Sequence, residues 1–571
     1  MIFEDVVQAI QPFGPYQKRI YFLICLVGIP AALHTMVTVF ILATPEHRCA
    51  IPGLQNDTYE SQGPWHDDLV SLTIPLDTDT DKLSTCKIYS HRSLSNPLDS
   101  RTDTRNCDHW VYSKEYYEKT VISELDLVCE DTEKVARANS VLMGGLLGGS
   151  LILGALSDII GRKKVMMIGL LGQFAVTIAT AFVSSYEAFV ALRFLATFFG
   201  MELVGPEQRT IAGIVIELFW ATGLFIILLL AYLLRDWHHL QLAVSLFNVL
   251  FIPYFWLLPE SPRWLVARGR IEEASAIVRH AARVNKADVS EKVLSLQDIQ
   301  DDGPQQKFWH LFTSPVLILR CLIIFFNWCV VSMVYYGLGL NVGSLSGNLF
   351  LNFLYANIAE TLSYVFCLLL LNRTGRRVLH CFTMLLGGVA CVAIIFPVLY
   401  GDSMTVGGIR DVACEAIIVP VLNGDKRHDW ITITLSMIGK FGASAAFAII
   451  YVFSAELFPT MVRNSSMGAS SVCARVGGIV SPYVATLNIY VGGNFGIALP
   501  SMLFGGLSIL AGVASLWLPE TKGRKLPESI EDAKHFGRSR QGKNAYALDD
   551  LDDKSTEKSN GPQENGSYTK Y

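Results

Sequence analysis

The chain has 571 residues, a net charge of −5, 51% hydrophobic residues and only 17% charged ones. Soluble proteins carry about 25% charged residues, so this deficit, with a mean hydropathy of +0.37, excludes an ordinary water-soluble domain. The net charge gives no hint of a nucleic-acid partner, and none is expected.

Residues 1–19 contain Glu4, Asp5, Lys18 and Arg19, and the apolar run that follows is too long for a signal-peptide core. That run is expected to be a first anchor whose N-terminus stays in the cytosol. A span needs about 20 mostly apolar residues. On that rule helices are expected near 20–43, 135–156, 165–184, 187–205, 211–234, 240–258, 316–338, 347–371, 378–400, 430–453, 465–491 and 497–518. The chain thus reads as an all-α membrane protein with twelve transmembrane helices in two six-helix halves, 20–258 and 316–518. The even count puts both termini on one side.

Positive charge in short loops marks the cytosolic side. The 157–164 loop holds Arg162, Lys163 and Lys164, the 372–377 loop holds Arg373, Arg376 and Arg377, and the tail from 519 begins with Lys522, Arg524 and Lys525. These loops, with the basic linker 259–315, fall on one side under the helix count. Within the linker, 271–285 reads as an amphipathic helix. The tail beyond about 535 is polar and expected to be disordered.

The opposite side carries one large polar segment, 44–133, with 18 Asp and Glu against 8 Lys and Arg. Its four cysteines, Cys49, Cys86, Cys107 and Cys129, suit two disulfides in an oxidising compartment, with three connectivities open. The sequon Asn56-Asp57-Thr58 lies where glycosylation enzymes reach it, whereas Asn372, Asn464 and Asn565 fall on the cytosolic side. The other cysteines lie in or beside spans and read as buried small hydrophobes.

Three motifs occur twice. Gly154-Ala155-Leu156-Ser157-Asp158-Ile159-Ile160-Gly161-Arg162-Lys163 has an echo at Asn372-Arg373-Thr374-Gly375-Arg376-Arg377. Glu202 with Arg209 matches Glu456 with Arg463, and Pro259-Glu260-Ser261 matches Pro519-Glu520-Thr521. Duplicated halves are a common plan for secondary transporters.

These residues resemble the major facilitator superfamily, whose signature Gly-x-x-x-Asp-x-x-Gly-Arg-Lys stands between helices 2 and 3. Within it the chain is similar to the organic cation/anion/carnitine transporter family, in its organic cation transporter branch. The resemblance rests on Gly14-Pro15-Tyr16-Gln17, Ala43-Thr44-Pro45 with Arg48-Cys49, Glu202-Leu203-Val204-Gly205-Pro206 and Arg235-Asp236-Trp237. It continues in Pro259-Glu260-Ser261-Pro262-Arg263-Trp264-Leu265, Gly439-Lys440-Phe441-Gly442 and Ser454-Ala455-Glu456-Leu457-Phe458-Pro459-Thr460. It covers roughly residues 5–530 and implies the major facilitator fold, a cysteine-bearing extracellular loop and transport of small organic ions. Three departures stand out: a short helix 4 between Arg193-Phe194-Leu195 and Glu202, Leu362 where the family often has Pro, and a long loop 401–428.

Function follows from where charge sits. Asp158, Gly161, Arg162, Glu202, Arg209, Arg373, Arg376, Glu456 and Arg463 cluster at the cytosolic helix ends. They are expected to act as a gate that pairs when the inside is closed. Ionisable residues inside spans are costly and usually functional. Glu360 in helix 8, Lys440 in helix 10 and Arg475 in helix 11 are expected at the substrate cavity, with Glu217 and His34 as weaker members. The resemblance implies substrate contacts for the helix-7 tyrosines Tyr335 and Tyr336. An aromatic face attracts an ammonium group by about 2 kcal/mol when desolvated. The resemblance also implies that an acidic residue at the Arg475 position goes with organic cations, and Arg with anions or zwitterions.

Gly144-Gly145-Leu146-Leu147-Gly148-Gly149 lacks the Lys-Ser/Thr of a phosphate loop and reads as close helix packing. His238 and His239 are adjacent in a predicted loop and have no metal-ligand spacing. No cofactor or metal and no enzymatic activity are expected. The expected partners are a small organic cation or zwitterion and the lipid bilayer of the plasma membrane. The rivals are a sugar-type carrier, suggested by Pro519-Glu520-Thr521-Lys522-Gly523-Arg524, and a non-transporting sensor or defective splice form, suggested by the short helix 4.

Overall fold

A helix in hydrocarbon satisfies its own backbone hydrogen bonds, so long apolar runs fold as helices and pack side by side. A computed structural model of the chain shows this arrangement; the residues described are 3–11, 13–76, 83–90, 104–200, 210–294, 296, 308–345, 347–400, 429–524, 526–527 and 529–537. Among them ten helices are long and apolar enough to cross a membrane: α1 (Pro15–Ile41), α2 (Cys129–Ile160), α3 (Arg162–Thr180), α5 (Ile214–Leu233), α6 (Trp237–Leu257), α7 (Pro315–Leu340), α8 (Leu349–Thr374), α9 (Arg376–Leu399), α10 (Trp430–Leu457) and α12 (Phe495–Trp517). Two further helices occupy the remaining expected places, α4 (Tyr186–Gly200) and α11 (Arg463–Ala485). The first has 15 residues, and the segment 201–209 after it lies outside the described residues. The second is rich in serine and glycine, which lowers its hydropathy, yet it packs closely on α7 and α2.

Local sequence sets the helix ends. Pro15 and Pro315 stand in the first turns of α1 and α7, where a missing N–H costs nothing. Asn348 Oδ1 accepts the N–H of Phe350 at 2.8 Å and caps α8. Asp236 caps α6 through the N–H of His238. His238 therefore lies in the first turn of a helix rather than in a loop, and it is not isolated: its Nε2 is 2.9 Å from Glu124 Oε2. The glycine run of α2 behaves as close-packing sequence. A Cβ on Gly145 would strike the Phe194 carbonyl of α4, and one on Gly149 would strike that of Phe198.

Residues 44–128 lie between α1 and α2 as a small polar unit. β1 (His47–Cys49) pairs antiparallel with β4 (Trp110–Tyr112), and β2 (Lys87–Tyr89) with β3 (Thr104–Asn106). These ladders decide the disulfides that sequence left open: Cys49 bonds Cys107 and Cys86 bonds Cys129. Asp57, the middle residue of the sequon, is the unit's anchor. Its carboxylate takes Arg48 at 2.5 Å, the Ile51 N–H at 2.8 Å and His66 Nε2 at 3.0 Å. Burial alone would raise its pKa, but the hydrogen bonds of Arg48, Ile51 and His66 outweigh that and hold the carboxyl below its ordinary range. Asn56 beside it is exposed.

At the opposite end of the bundle, the helix Ile271–Asn285 stands where the amphipathic segment was expected. It packs against the helix Phe3–Ala9 through Val6, Ile10, Val278 and Ala282. Asn285 ties the two together by donating to Ile10 O and Gln17 Oε1 and accepting the Tyr16 N–H. Its amide sits where a Cβ on Gly14 would be, which accounts for the glycine before Pro15. The outer surface of the bundle is apolar, with Phe182, Trp256, Leu250 and Trp517 largely exposed, as lipid contact requires. The expected disorder of the tail and the long loop 401–428 concern residues mostly outside those described.

Candidate functional site

Two six-helix halves leave a seam down the middle, and buried charge collects there. Glu360 on α8 is 0% exposed, and its Oε2 lies 2.9 Å from Lys440 Nζ on α10. The other carboxylate oxygen accepts two phenolic hydrogens, from Tyr335 of α7 at 2.7 Å and from Tyr364 of α8 at 2.9 Å. Lys440 Nζ also stands 3.6 Å above the centre of the Tyr335 ring, a cation–π contact in a desolvated place. Across the seam, Trp220 of α5 donates its indole N–H to the Tyr335 hydroxyl at 2.9 Å. One carboxylate, one ammonium, two phenols and an indole thus form a single network that spans both halves.

Tyr336 packs edge-on against Tyr335 with ring centres 5.1 Å apart. Arg475 of α11 is buried near Tyr336 and Tyr451, whose hydroxyls feel its charge. Arg475 is therefore not the partner of Glu360; Lys440 holds that place. Glu217 of α5 faces Glu360 and Tyr364 from the other half. His34 is placed apart from this cluster. Its Nε2 is 3.1 Å from Asn248 Oδ1 of α6, inside the first half. Arg193 of α4, quoted above only as part of a motif, is fully buried and donates to the His34 carbonyl at 3.2 Å. A small cavity lies in the seam, with about 10 Å³ open to the centre of a water molecule. Asn357, Glu360 and Lys440 form its polar wall, and Met36 and Leu224 of the first half form part of the other. Asn357 was missed because an uncharged amide in a span gives no signal of its own.

The repeated motifs lie at the end of the bundle opposite the disulfides, each set within its own half. Gly161 and Gly375 adopt φ of 110° and 99°, and a Cβ on either would come within 2.5 or 2.7 Å of a carboxylate oxygen. Those carboxylates are Glu260 and Glu520. Glu260 accepts the N–H groups of Arg162 and Lys163 at 3.0 and 3.1 Å, and Glu520 those of Arg376 and Arg377 at 2.8 and 3.1 Å. Each Pro-Glu-Ser/Thr segment thus caps the N-terminus of the helix after its glycine, a role not read from the repeats. Within the second half, Arg376 pairs with Glu456 at 3.0 Å, and Thr521 donates to Glu456 at 2.6 Å. The Asp158 carbonyl accepts from Trp264 and Arg268 of the linker, and Lys522 donates to the Arg373 carbonyl. Arg463 donates to Thr460 within its own half. Glu202 and Arg209 lie outside the described residues. At the disulfide end the halves touch directly: Ser140 of α2 donates to Ile479 of α11 at 2.8 Å, and Phe40 stacks on Phe350.

Residues 89–532 match the family described as "Sugar (and other) transporter". Over 94% of this chain and 95% of its own length, the Organic cation transporter protein of Drosophila melanogaster is 35% identical. The human Organic cation/carnitine transporter 2 is 32% identical over 93% of each chain. The chain belongs to the organic cation/carnitine transporter family of the major facilitator superfamily. It is therefore an integral membrane transporter and not an enzyme. The proton:xylose symporter XylE shares its fold, with a TM-score of 0.56 at 15% identity over 90% of this chain and 98% of that one.

In this transporter the central pair carries a clear energetic signature. Removing one partner of a buried ion pair costs about 3–5 kcal/mol, because the other charge stays buried alone. Glu360→Gln should therefore lower the thermal unfolding temperature of the detergent-purified protein markedly. The double variant Glu360→Gln/Lys440→Met, which removes both charges, should regain most of that loss. A double variant no more stable than the single one would show that the pair does not balance itself.

Proposed function

We propose that this transporter carries small organic ions by alternating access, actively or by facilitation, and favours zwitterions of the betaine or carnitine kind. Simple organic cations come second and organic anions third. The observation that carries the ranking is the balance of charge in the seam. Glu217 and Glu360 share the seam with Lys440 and Arg475, so it offers groups of both signs. A molecule bearing both charges can replace each internal contact by an external one, whereas a lone charge leaves a buried group unpaired. The relatives named for organic cations and carnitine support the same substrate class.

Basic short loops support a cytosolic placement of residues 1–19, of the linker 259–315 and of the tail 519–571 in a plasma-membrane protein, with 44–133 outside. Helices 2–6 then occupy 134–258 and helices 7–12 occupy 316–518. Two disulfides in 44–133 suit an oxidising exterior. The gate would lie at the capped glycine turns. With the halves in contact at the disulfide end, Asp158, Arg162, Glu202 and Arg209 of the first half would meet Arg373, Arg376, Glu456 and Arg463 of the second only when the cytosolic end closes.

Three experiments test these readings. Arg475→Asp should abolish carnitine uptake by expressing cells and spare or raise uptake of tetraethylammonium; equal loss of both would mark Arg475 as a structural partner. Asp158→Asn should reduce transport with surface expression intact, since its carboxylate serves one state and not the fold; transport at the wild-type rate would remove it from the gate. Asn56→Gln should abolish a glycan-sized mass shift on a gel; a wild-type protein insensitive to glycosidase would mean the sequon is unused.

A further inference from the structure

Asn357 stands one helical turn before Glu360 on α8 and is 2% exposed. Its backbone carbonyl takes the Thr361 hydroxyl, but its side-chain Nδ2 has no hydrogen-bond partner among the described residues. A buried amide donor left unpaired costs a free energy that most native structures avoid. Here the orphan belongs to the polar wall of the seam cavity, which it shares with Glu360 and Lys440. The cavity has room for no more than about one water. Part of its apolar wall, Met36 and Leu224, comes from the first half, whereas Asn357, Glu360 and Lys440 all belong to the second. Rocking of the halves would carry Met36 and Leu224 away from Asn357, Glu360 and Lys440, which move together.

We propose that Asn357 and Lys440 together form the subsite for the carboxylate of a quaternary-ammonium amino acid. The inference rests on the zwitterion reading above and adds the residues that recognise the acidic end. The internal pair opens by exchange. The substrate carboxylate draws Lys440 Nζ from Glu360 and accepts the unused Asn357 N–H. Glu360 keeps both phenolic donors, Tyr335 and Tyr364, on its other oxygen, so it stays ordered and takes the ammonium end. One buried ion pair becomes two, and the buried Arg475 adds its positive charge to the field that favours the acidic end. In the loaded state the amide donates to a charged oxygen, a stronger bond than one to water.

Betaine and tetramethylammonium isolate the carboxylate, because they share a quaternary ammonium head and only betaine is an acid. Asn357→Leu keeps the size and removes the donor. It should lower the ratio of betaine to tetramethylammonium uptake efficiency about tenfold, the worth of one hydrogen bond to a charged group. The loss should appear as a raised KM for betaine. Asn357→Asp, of the same shape, sets a second carboxylate against the substrate's and should lower the ratio further. Surface biotinylation normalises each rate to the transporter present. An unchanged ratio in Asn357→Leu at a normal surface level overturns the subsite while leaving the zwitterion reading in place. Should that variant not reach the surface, an unchanged ratio in Asn357→Asp overturns it equally. A wild-type protein that carries tetramethylammonium but neither betaine nor carnitine would overturn both the substrate reading and the subsite built on it.

Discussion

A carboxylate and an ammonium group 2.9 Å apart, both sealed inside an apolar bundle, set the terms for the middle of this protein. Taking either charge out of water costs several kcal/mol, by general estimate. The cost is offset only where partners surround both ions. Glu360 has Lys440 on one oxygen and two phenols on the other, and Lys440 has the face of Tyr335 as well. Those partners come from α7, α8 and α10, and Trp220 extends the network to α5. Four helices thus meet in one network built around a single ion pair.

The same economy of fixed charges governs the far end of the bundle. Each half brings a glycine with a positive φ directly under a carboxylate, Gly161 under Glu260 and Gly375 under Glu520. The carboxylate meets the free N–H groups and the positive end of the helix that follows. The two caps tie α6 to α3 and α12 to α9 within their own halves, so each half can move as a unit. Contacts between halves include Ser140 with Ile479, the Phe40–Phe350 stack, the Trp220–Tyr335 hydrogen bond and an apolar cluster that joins Ile214 and Ala221 of α5 to Tyr364 and Cys367 of α8. Rigid halves joined along a polar seam are what alternating access needs.

Helix placement was largely legible in the linear pattern, because hydrocarbon thickness demands long apolar runs and positive charge avoids crossing. The family was legible in motifs whose spacing matched on both halves. Legibility failed where identity depends on approach in space. Glu360 and Lys440 were each visible as charged residues in spans, yet nothing in their separation of 80 positions names them as partners. Arg475 carried the same kind of signal as Lys440, and only the crossing of α8 with α10 set Lys440 against Glu360. His34 carried the same signal as a site residue, but the face of α1 on which it lies turns toward Asn248. The four loop cysteines allowed three pairings until two short strand ladders chose one.

The sequence by itself determined the solvent, the number of apolar crossings to expect, the duplicated plan and the family. Each of these depends on composition and spacing along one dimension: hydropathy over a span's length, charge in loops, and motifs at matched offsets. The tertiary structure alone decided which buried charges neutralise one another, which motif carboxylate caps which helix, and which neutral amide faces the cavity without a partner. Those outcomes depend on helix rotation and crossing, and a turn of about 100° per residue moves a side chain from the seam to the lipid without changing the apolar run that contains it.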